Sequence, residues 1–263
     1  CIRDRRIYDM RIVVKVGTST LAHPSGLINI RRVEELCKVM SDLKNAGHDI
    51  ILVTSGAIGM GAGKLQLSER PRDVAAKQAA AAVGQCELMY TYDKLFSEYN
   101  HTVAQLLMTG SDFENEERHI NFKNTMDKLL EFKALPIINE NDTVATEEIK
   151  VGDNDTLSAM VAININADLL ILLSDIDGLF TADPHSDPTA KLISVVSEIN
   201  DDILALGGGE GSSLGTGGMR TKLNAAQICT ENNCDMIIAN GEDPDILYDI
   251  VEGKAVGTRF IRR

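Results

Sequence analysis

The sequence predicts an α/β fold, a mostly parallel sheet with helices on both faces. Apolar runs of strand length alternate with longer segments of helical periodicity along nearly the whole chain. The strand-like runs are continuously apolar, which is typical of parallel strands buried on both faces. Each run is followed by a helical segment, as in βα units. Ligands in such folds lie beyond the carboxyl ends of the strands, so we expect the functional residues in the loops that follow them.

The individual elements follow from apolar periodicity and from stop signals. The first strand, residues 11–16, is β-branched and ends at Gly17, and the first long helix, residues 30–46, ends at Gly47. The other predicted strands are 49–54, 102–107, 135–139, 168–174 and 235–239, and the other predicted helices are 73–92, 121–132, 155–166 and 219–232. Residues 1–9 are interpreted as a cloning remnant or an N-terminal extension and are left out of the fold.

Composition and charge exclude several classes of protein. The chain of 263 residues has a net charge of −13, which disfavours nucleic acid and anionic membrane surfaces as partners. No apolar run approaches the roughly 20 residues that span a membrane. Five cysteines without a metal-ligand or disulfide spacing are interpreted as reduced, mostly buried thiols of a cytoplasmic protein. Because the net charge is strongly negative, an anionic ligand must be held by local cations or backbone amides.

Two glycine-containing turns follow the first two strands. Lys15 is followed by Gly-Thr-Ser, which offers a cation and free backbone N–H groups to a phosphate, although a surface lysine before an ordinary turn has the same pattern. The segment 54–61, TSGAIGMG, is rich in glycine where a helix N-terminus would face a ligand. It is neither a Walker A sequence nor GxGxxG, and close backbone packing alone could explain its glycines.

Acidic and amide side chains cluster at two further turns. Residues 139–142, NEND, end a strand, and residues 152–155, GDND, begin a helix. Such residues are common helix caps, but two clusters on the predicted ligand side favour a binding site. They suit a substrate with an α-ammonium group, and they could equally bind Mg²⁺ through water or orient lysines.

The last two turns favour a nucleotide. Residues 174–184, SDIDGLFTADP, follow a strand and fit either nucleotide contacts or an Asx turn. Residues 207–218 contain seven glycines and lead directly into a helix, which exposes amides to phosphate. Lys222 lies one turn inside that helix and can reach the same anion.

These segments together resemble a known family. KVGTSTL (15–21), TSGAIGMG (54–61), NENDTVATEEIKVGDNDTLSA (139–159), SDIDGLFTADP (174–184) and GTGGMRTKL (215–223) are similar to glutamate 5-kinases of the amino-acid kinase superfamily. They occur in the family's order, and the resemblance covers about residues 10–257. It implies a single three-layer αβα sandwich domain over residues 10–263, with the N-terminal half binding substrate and the C-terminal half binding nucleotide.

The resemblance also implies roles for individual residues. Lys15 and Lys222 match the lysines that hold the transferring phosphoryl group, and Asp155 matches the acid that organises them. The positions that match glutamate-binding residues are Ser55, Asp142, Asp153 and Asn154. The positions that match nucleotide-binding segments are Lys15, Ser174, Asp175, Thr216, Gly217, Gly218, Met219, Arg220, Thr221 and Lys222. No residue is assigned as a direct metal ligand, and Mg²⁺ is expected to bridge the phosphates of ATP.

The implied activity is ATP-dependent phosphorylation of the side-chain carboxylate of L-glutamate, the first step toward proline. The family further implies a cytoplasmic homo-oligomer, a dimer or tetramer, inhibited by proline. Many relatives continue into a C-terminal PUA domain; this chain stops at Arg263, so we expect either a short form without that domain or a truncated form. Alternatives within the superfamily are kinases of N-acetylglutamate, aspartate, carbamate or a nucleoside monophosphate. A catalytically silent sensor of ATP or an amino acid is the alternative from another class.

Overall fold

The centre of the molecule is one eight-stranded sheet. A computed structural model describes residues 9–23, 27–69, 71–145, 154–184, 186–208 and 218–263. The strands are β1 (Arg11–Val16), β2 (Asp49–Val53), β3 (Val103–Met108), β4 (Leu135–Glu140), β5 (Leu169–Ser174), β6 (Val195–Val196), β7 (Asp235–Asn240) and β8 (Thr258–Phe260). Their order in the sheet is β3-β4-β2-β1-β5-β7-β8-β6.

Most of the sheet is parallel. Strands β1, β2, β3, β4, β5 and β7 all run in one direction, and β8 pairs antiparallel with β7 at one side. The short β6 pairs parallel with β8 and forms that edge. Every residue of β5 is buried, and in β1 only the first is not. Burial on both faces explains why these strands are continuously apolar in sequence.

Helices cover both faces of the sheet. They are α1 (Thr18–Leu21), α2 (Ile30–Asn45), α3 (Ala57–Lys64), α4 (Val74–Ser97), α5 (Gly110–Glu114), α6 (Glu116–Glu131), α7 (Asn154–Asn164), α8 (Asp201–Ala205), α9 (Met219–Glu231) and α10 (Ile246–Val251). One core lies between the sheet and α2, α4 and α10, and a second lies between the sheet and α6, α7 and α9. Alternate residues of β1 enter opposite cores, Val13 the second and Val14 the first. The predicted three-layer αβα sandwich is therefore confirmed.

The predicted strands are all present, and their ends agree with the structure to within one residue. The largest differences are in two helices. Helix α6 begins at Glu116, five residues earlier than predicted, because the Asn115 side chain caps it by accepting from the Arg118 N–H. Helix α4 continues five residues beyond the predicted end, through the buried Phe96. Elements such as β8 and α10 were not predicted because three to six residues do not establish a periodicity.

Helices α3 and α4 are in direct backbone contact through two glycines. A Cβ atom on Gly61 would lie 1.7 Å from the carbonyl oxygen of Ala80, and one on Gly84 would lie 1.8 Å from that of Ala57. No larger residue fits at either position. Close backbone packing was one explanation for the glycines of segment 54–61, and the structure supports it for Gly61.

Two other observations concern the sequence-based expectations about membrane segments and cysteines. No helix in the described part of the chain is long and apolar enough to cross a membrane. Four cysteines lie in the described residues and all are free thiols. Cys37, Cys229 and Cys234 are buried and Cys86 is exposed, as expected for reduced, mostly buried cysteines.

Candidate active site

A buried carboxylate joins two lysines at the carboxyl edge of the sheet. The Nζ atom of Lys15 lies 2.6 Å from Oδ1 of Asp155, and the Nζ atom of Lys222 lies 2.9 Å from Oδ2. The hydroxyl of Thr221 also contacts Oδ2, at 3.1 Å. We name Lys15, Asp155, Thr221 and Lys222 the charged cluster.

Three different elements supply this cluster. Lys15 lies near the end of β1, between β2 and β5 in the middle of the sheet. Asp155 is in the first turn of α7, and Lys222 is in the first turn of α9. The two helices pack against the same face of the sheet. Lys15 and Asp155 are 140 positions apart in the chain, and Asp155 and Lys222 are 67 positions apart. All three meet at the carboxyl edge of the parallel sheet, where such folds bind ligands.

The charged cluster is almost fully buried. Asp155 is 0% exposed, Lys15 is 7% exposed and Lys222 is 6% exposed. Burial acts to raise the pKa of Asp155, but the adjacent Lys15 and Lys222 ammonium groups outweigh it and hold that pKa below its usual range. Asp155 is therefore ionised at neutral pH and balances one of the two positive charges.

A second, neutral cluster surrounds Asn154. Its Nδ2 atom lies 2.7 Å from the carbonyl oxygen of Thr54, 2.7 Å from Oγ of Ser55 and 3.0 Å from Oδ1 of Asn139. Asn139 in turn donates from Nδ2 to Oε1 of Gln85 at 2.8 Å. We name Ser55, Gln85, Asn139 and Asn154 the amide cluster.

Hydrogen bonds to the backbone fix the orientation of both asparagines. Oδ1 of Asn139 accepts from the N–H of Glu140, so its Nδ2 faces Gln85. The Nδ2 atom of Asn154 donates to a backbone carbonyl, so its Oδ1 points the other way. That Oδ1 is buried and has no hydrogen-bond partner among the described residues. The amide cluster therefore presents an unused acceptor.

Asp142 lies in the turn after β4 and is partly buried. Burial raises the pKa of its carboxyl group above the usual aspartate value. None of the described residues donates a hydrogen bond to this carboxylate or forms an ion pair with it. A partly desolvated carboxylate without a protein cation is suited to a cationic ligand group.

The predicted nucleotide residues lie around the ends of β5 and α9. Ser174 donates to Oδ1 of Asp175 at 3.1 Å, and both line a cavity of about 190 Å³ with Ser19, Thr20, Arg32, Asn240 and Glu242. Gly218 is the N-cap of α9, and among the described residues no side chain caps that helix end. Met219 packs against the core, and Arg220 is exposed.

Not every predicted residue can be placed. Asp153, Thr216 and Gly217 lie outside the described residues. A second cavity, of about 350 Å³, lies beyond the ends of β3 and β4 and borders the Asp142 turn. Its lining residues are Leu107, Thr109, Ser111, Asp112, Arg118, Asn141, Val144 and Ala145.

The sequence did not reveal every member of the two clusters. Asn139 belongs to a motif that was recognised, but no role was assigned to it. Gln85 lies in an Ala-rich helix without any motif. A signal was nevertheless present, because Gln85 occupies a buried face of α4 together with Ala81, Leu88 and Tyr92 at helical spacing. A polar residue on an otherwise apolar helix face indicates a specific partner.

Comparisons with known proteins show the family of this chain. Residues 10–240 match the model of the Amino acid kinase family. The glutamate 5-kinase of Clostridium acetobutylicum is 54% identical over 251 residues, which cover 95% of this chain and 94% of that protein. The glutamate 5-kinase of Symbiobacterium thermophilum is 52% identical and covers 99% of both chains.

A solved structure agrees at the level of the fold. The carbamate kinase from Giardia lamblia, solved with AMP-PNP, superposes with a TM-score of 0.69 at 18% identity and covers 98% of this chain. At that identity the likeness concerns the fold only. The identities above 50% over nearly the full length are far more specific. The chain belongs to the amino acid kinase family and, within it, to the glutamate 5-kinases.

Proposed function

We propose that this protein transfers the γ-phosphoryl group of ATP to the side-chain carboxylate of L-glutamate. The products are glutamyl 5-phosphate and ADP, and the reaction is the first step from glutamate toward proline. One geometric observation carries the proposal: the buried Asp155 carboxylate links two lysine ammonium groups at the carboxyl edge of the sheet. A pair of oriented cations is what transfer between two anions requires.

The reaction needs positioning and cations more than proton transfer. The glutamate side chain has a reference pKa of about 4.3 and is already an anion at neutral pH, so no general base is needed. One of its carboxylate oxygens forms a bond to the γ-phosphorus while the bond to the bridging oxygen breaks, and ADP leaves with that electron pair. Catalysis of such a step comes mainly from in-line orientation and stabilisation of the shifting charge.

The charged cluster supplies that stabilisation in the proposed mechanism. Lys15 and Lys222 contact the equatorial and bridging oxygens of the transferring group. Asp155 holds both ammonium groups in place before the substrates arrive, so little reorganisation is needed during the reaction. Of the roles left open for the acidic residues of GDND, orienting lysines is the one that the contacts of Asp155 support.

The amide cluster and Asp142 form the proposed glutamate site. The buried Oδ1 of Asn154 is an acceptor without a described partner, and Asp142 is a carboxylate without a described cation. An α-ammonium group would satisfy both, because it has three donors and a positive charge. Ser55, held by Asn154, and Asp153 complete the predicted contacts. An N-acylated amino acid lacks this ammonium group and would leave the two acceptors unpaired.

The nucleotide is assigned to the C-terminal half of the domain. Ser174 and Asp175 line the smaller cavity, and no side chain in the described part of the chain caps the N-terminus of α9 at Gly218. Backbone amides at such a helix end favour phosphate groups. Thr216, Gly217, Met219, Arg220 and Thr221 belong to the same predicted segment.

Mg²⁺ is proposed to bind mainly through the phosphate oxygens of ATP. Among the described residues, no group of three His, Cys, Asp or Glu side chains could hold a metal ion. The proposal rests on the general behaviour of Mg²⁺, which commonly keeps several waters and binds substrate phosphates with few protein ligands. When bound, it would neutralise phosphate charge.

Other properties of the family remain predictions for this chain. They are inhibition by proline, a dimeric or tetrameric state and a cytoplasmic location. They rest on the resemblance to glutamate 5-kinases.

Trapping with hydroxylamine tests the substrate and the product together. The protein is incubated with ATP, Mg²⁺, hydroxylamine and either L-glutamate, N-acetylglutamate or aspartate. We expect ATP-dependent hydroxamate from L-glutamate alone, because hydroxylamine attacks acyl phosphates. Hydroxamate from one of the other acids would keep the kinase chemistry and overturn the substrate. ATP binding without any hydroxamate would favour a nucleotide kinase or a silent sensor.

The Lys222→Ala variant tests the role of the charged cluster in the same assay. We expect kcat to fall by about two orders of magnitude or more, since a cation that acts mainly in the transition state is lost. The fold should survive because Lys15 still neutralises Asp155, and circular dichroism checks this. Near-normal turnover by a folded Lys222→Ala variant would contradict the proposed mechanism.

A further inference from the structure

Gln85 is a buried polar residue on the inner face of α4. It is 9% exposed, and its Oε1 accepts a hydrogen bond from Nδ2 of Asn139 at 2.8 Å. Its Nε2 atom is buried and has no hydrogen-bond partner among the described residues. A buried amide that satisfies only one of its two ends costs folding free energy, so its presence calls for a specific reason.

Packing alone does not require an amide at this position. The neighbours of Gln85 on the same face, Leu88 and Tyr92, are fully buried and belong to the apolar core. A leucine or methionine of similar volume would pack there without an unpaired donor. The one described contact that such a residue would lose is the hydrogen bond to Asn139.

That hydrogen bond is the outer link of the amide cluster. Asn139 uses Nδ2 for Gln85 and Oδ1 for both the Glu140 N–H and Nδ2 of Asn154. Asn154 in turn holds Ser55 and presents the unused Oδ1. The orientation of Asn154 therefore depends in part on Asn139, whose Nδ2 is paired by Gln85.

The backbone around Gln85 is held in place by the α3–α4 contact. Gly84, the preceding residue, touches Ala57 so closely that a Cβ atom would lie 1.8 Å from the carbonyl oxygen of that residue. Ala57 begins α3, which follows directly on the loop that carries Ser55. The helix that carries Gln85 and the loop that carries Ser55 are thus joined by backbone contact as well as by the amide cluster.

We propose that Gln85 is a positioning residue for the amino acid substrate. It acts through Asn139 to fix the amide of Asn154, so that the unused Oδ1 faces the α-ammonium group. This inference rests on the proposed function. The described role of Gln85 is indirect, because its Oε1 is already occupied by Nδ2 of Asn139.

Removal of the amide tests the proposal. Gln85→Met and Gln85→Leu keep the volume and helix propensity but leave Nδ2 of Asn139 unpaired. We expect the KM for glutamate to rise about 10-fold, the size typical of losing one partner of a buried hydrogen bond, while the KM for ATP changes by less than about twofold. Two removal variants are used so that the result does not depend on one of them folding.

Gln85→Glu provides the rescue. It keeps an oxygen acceptor toward Asn139, and burial favours the neutral carboxyl group, whose O–H takes the place of the unpartnered Nε2, so we expect a KM for glutamate within about threefold of the wild type. Thr91→Val is the matched control on the same helix, because it removes a hydrogen bond of α4 that does not involve the amide cluster, from the half-buried Thr91 hydroxyl to the carbonyl oxygen of Glu87 at 2.9 Å. This variant should lose stability without a change in the KM for glutamate.

The outcomes separate this inference from the proposed function. If the wild-type protein gives no hydroxamate from glutamate, the function itself fails. If the wild type is active and the folded removal variants keep its KM for glutamate, Gln85 does not position the substrate. An equal rise in the KM for glutamate in Thr91→Val, or a rise in the KM for ATP in the removal variants, would also overturn the proposal, because it would indicate a general disturbance of packing.

Discussion

Asn154 and Asp155 are consecutive residues at the start of α7, yet they lie in two clusters of opposite character. Asp155 is an ionised carboxylate between two ammonium groups, and each of its oxygens faces a cation. Asn154 is a neutral amide that donates to neutral acceptors and leaves its own oxygen without a partner in the described residues. Successive residues of a helix point about 100° apart, which explains how neighbours reach different clusters.

The difference is what we expect if one helix N-terminus serves two substrates, as proposed above. The geometry of the charged cluster is set without a ligand, because Asp155 contacts both ammonium groups and balances one of their two charges. The amide cluster and Asp142 are incomplete without a ligand, because an acceptor and a carboxylate lack described partners. A preformed cluster suits transition-state stabilisation, whereas an incomplete one suits recognition of a substrate. The following predictions test this division.

The largest effect is expected for Asp155→Asn, which removes the charge that joins the two lysines. Two buried ammonium groups then lack a counter-ion, so we expect the free energy of unfolding to fall by about 3–5 kcal/mol. We also expect kcat to fall by about three orders of magnitude or more, because neither cation is held in place. Urea unfolding and steady-state kinetics measure the two effects.

The pH dependence of that stability loss follows from the lowered pKa of Asp155. A carboxyl group with a lowered pKa in the folded state stabilises the protein above its unfolded pKa of about 3.9 and loses that contribution as the pH falls through the folded pKa. The difference in the free energy of unfolding between the wild type and Asp155→Asn should therefore be constant from about pH 5 to pH 8. Glu35→Gln, which breaks an exposed ion pair with Lys38, is the charge-matched control. It should change neither the free energy of unfolding nor kcat. A similar stability for both variants would show that the charged cluster is not a unit.

The next largest effect is expected for Asp142→Asn, on the substrate side of the comparison. The loss of a charged acceptor for the α-ammonium group should raise the KM for glutamate about 10- to 100-fold. The KM for ATP and the kcat should change little, because the charged cluster is intact. A raised KM for ATP with an unchanged KM for glutamate would assign Asp142 to the nucleotide instead. Asp127→Asn, which removes an exposed carboxylate on α6, is the control.

Asp142→Asn also has a pH signature opposite to that of Asp155→Asn. Burial raises the pKa of Asp142, so its ionisation in the folded state lowers stability as the pH rises from about 3.9 through the raised value. Asp142→Asn should therefore be more stable than the wild type at neutral pH and lose this advantage in acid. The KM for glutamate should rise in the wild type as Asp142 becomes protonated, and this rise should be absent in the variant. Titration of the substrate affects the KM of both proteins equally, so it cancels when their pH profiles are compared.

How much of the fold and of the candidate site could be predicted from the sequence depended on the length of each sequence pattern. The central strands were predicted to within one residue because burial on both faces gives continuous apolar runs, as in residues 169–174. Lys15, Asp155 and Lys222 were found because they lie in motifs at the ends of those elements. That Lys15 and Lys222 share the Asp155 carboxylate was implied by the resemblance and does not follow from spacing, because it depends on two helices packing on the same face of the sheet.

The amide cluster was predicted only in part. Asn154 and Ser55 belong to motifs, whereas Gln85 is one polar residue in a long Ala-rich helix and meets Asn139, 54 positions away, only through the tertiary fold. Thr221 was predicted within the nucleotide segment, and nothing in the sequence indicated that its hydroxyl contacts Asp155 as well as the carbonyl of Gly218. Contacts between distant elements depend on helix packing, which a single sequence does not specify.

The smallest effect is expected for Thr221→Val, which tests whether that hydroxyl belongs to the charged cluster. Valine keeps the shape, and Lys222 still holds Oδ2 of Asp155, so we expect kcat to fall only about 3- to 10-fold with little change in either KM. Thr230→Val is a matched control on the same helix, because the Thr230 hydroxyl also donates to a backbone carbonyl but lies away from the cluster. Steady-state kinetics with both substrates distinguish two roles. A fall in kcat alone means that Thr221 orients Asp155, whereas a rise in the KM for ATP alone means that it contacts only the nucleotide and that the charged cluster consists of the two lysines and Asp155.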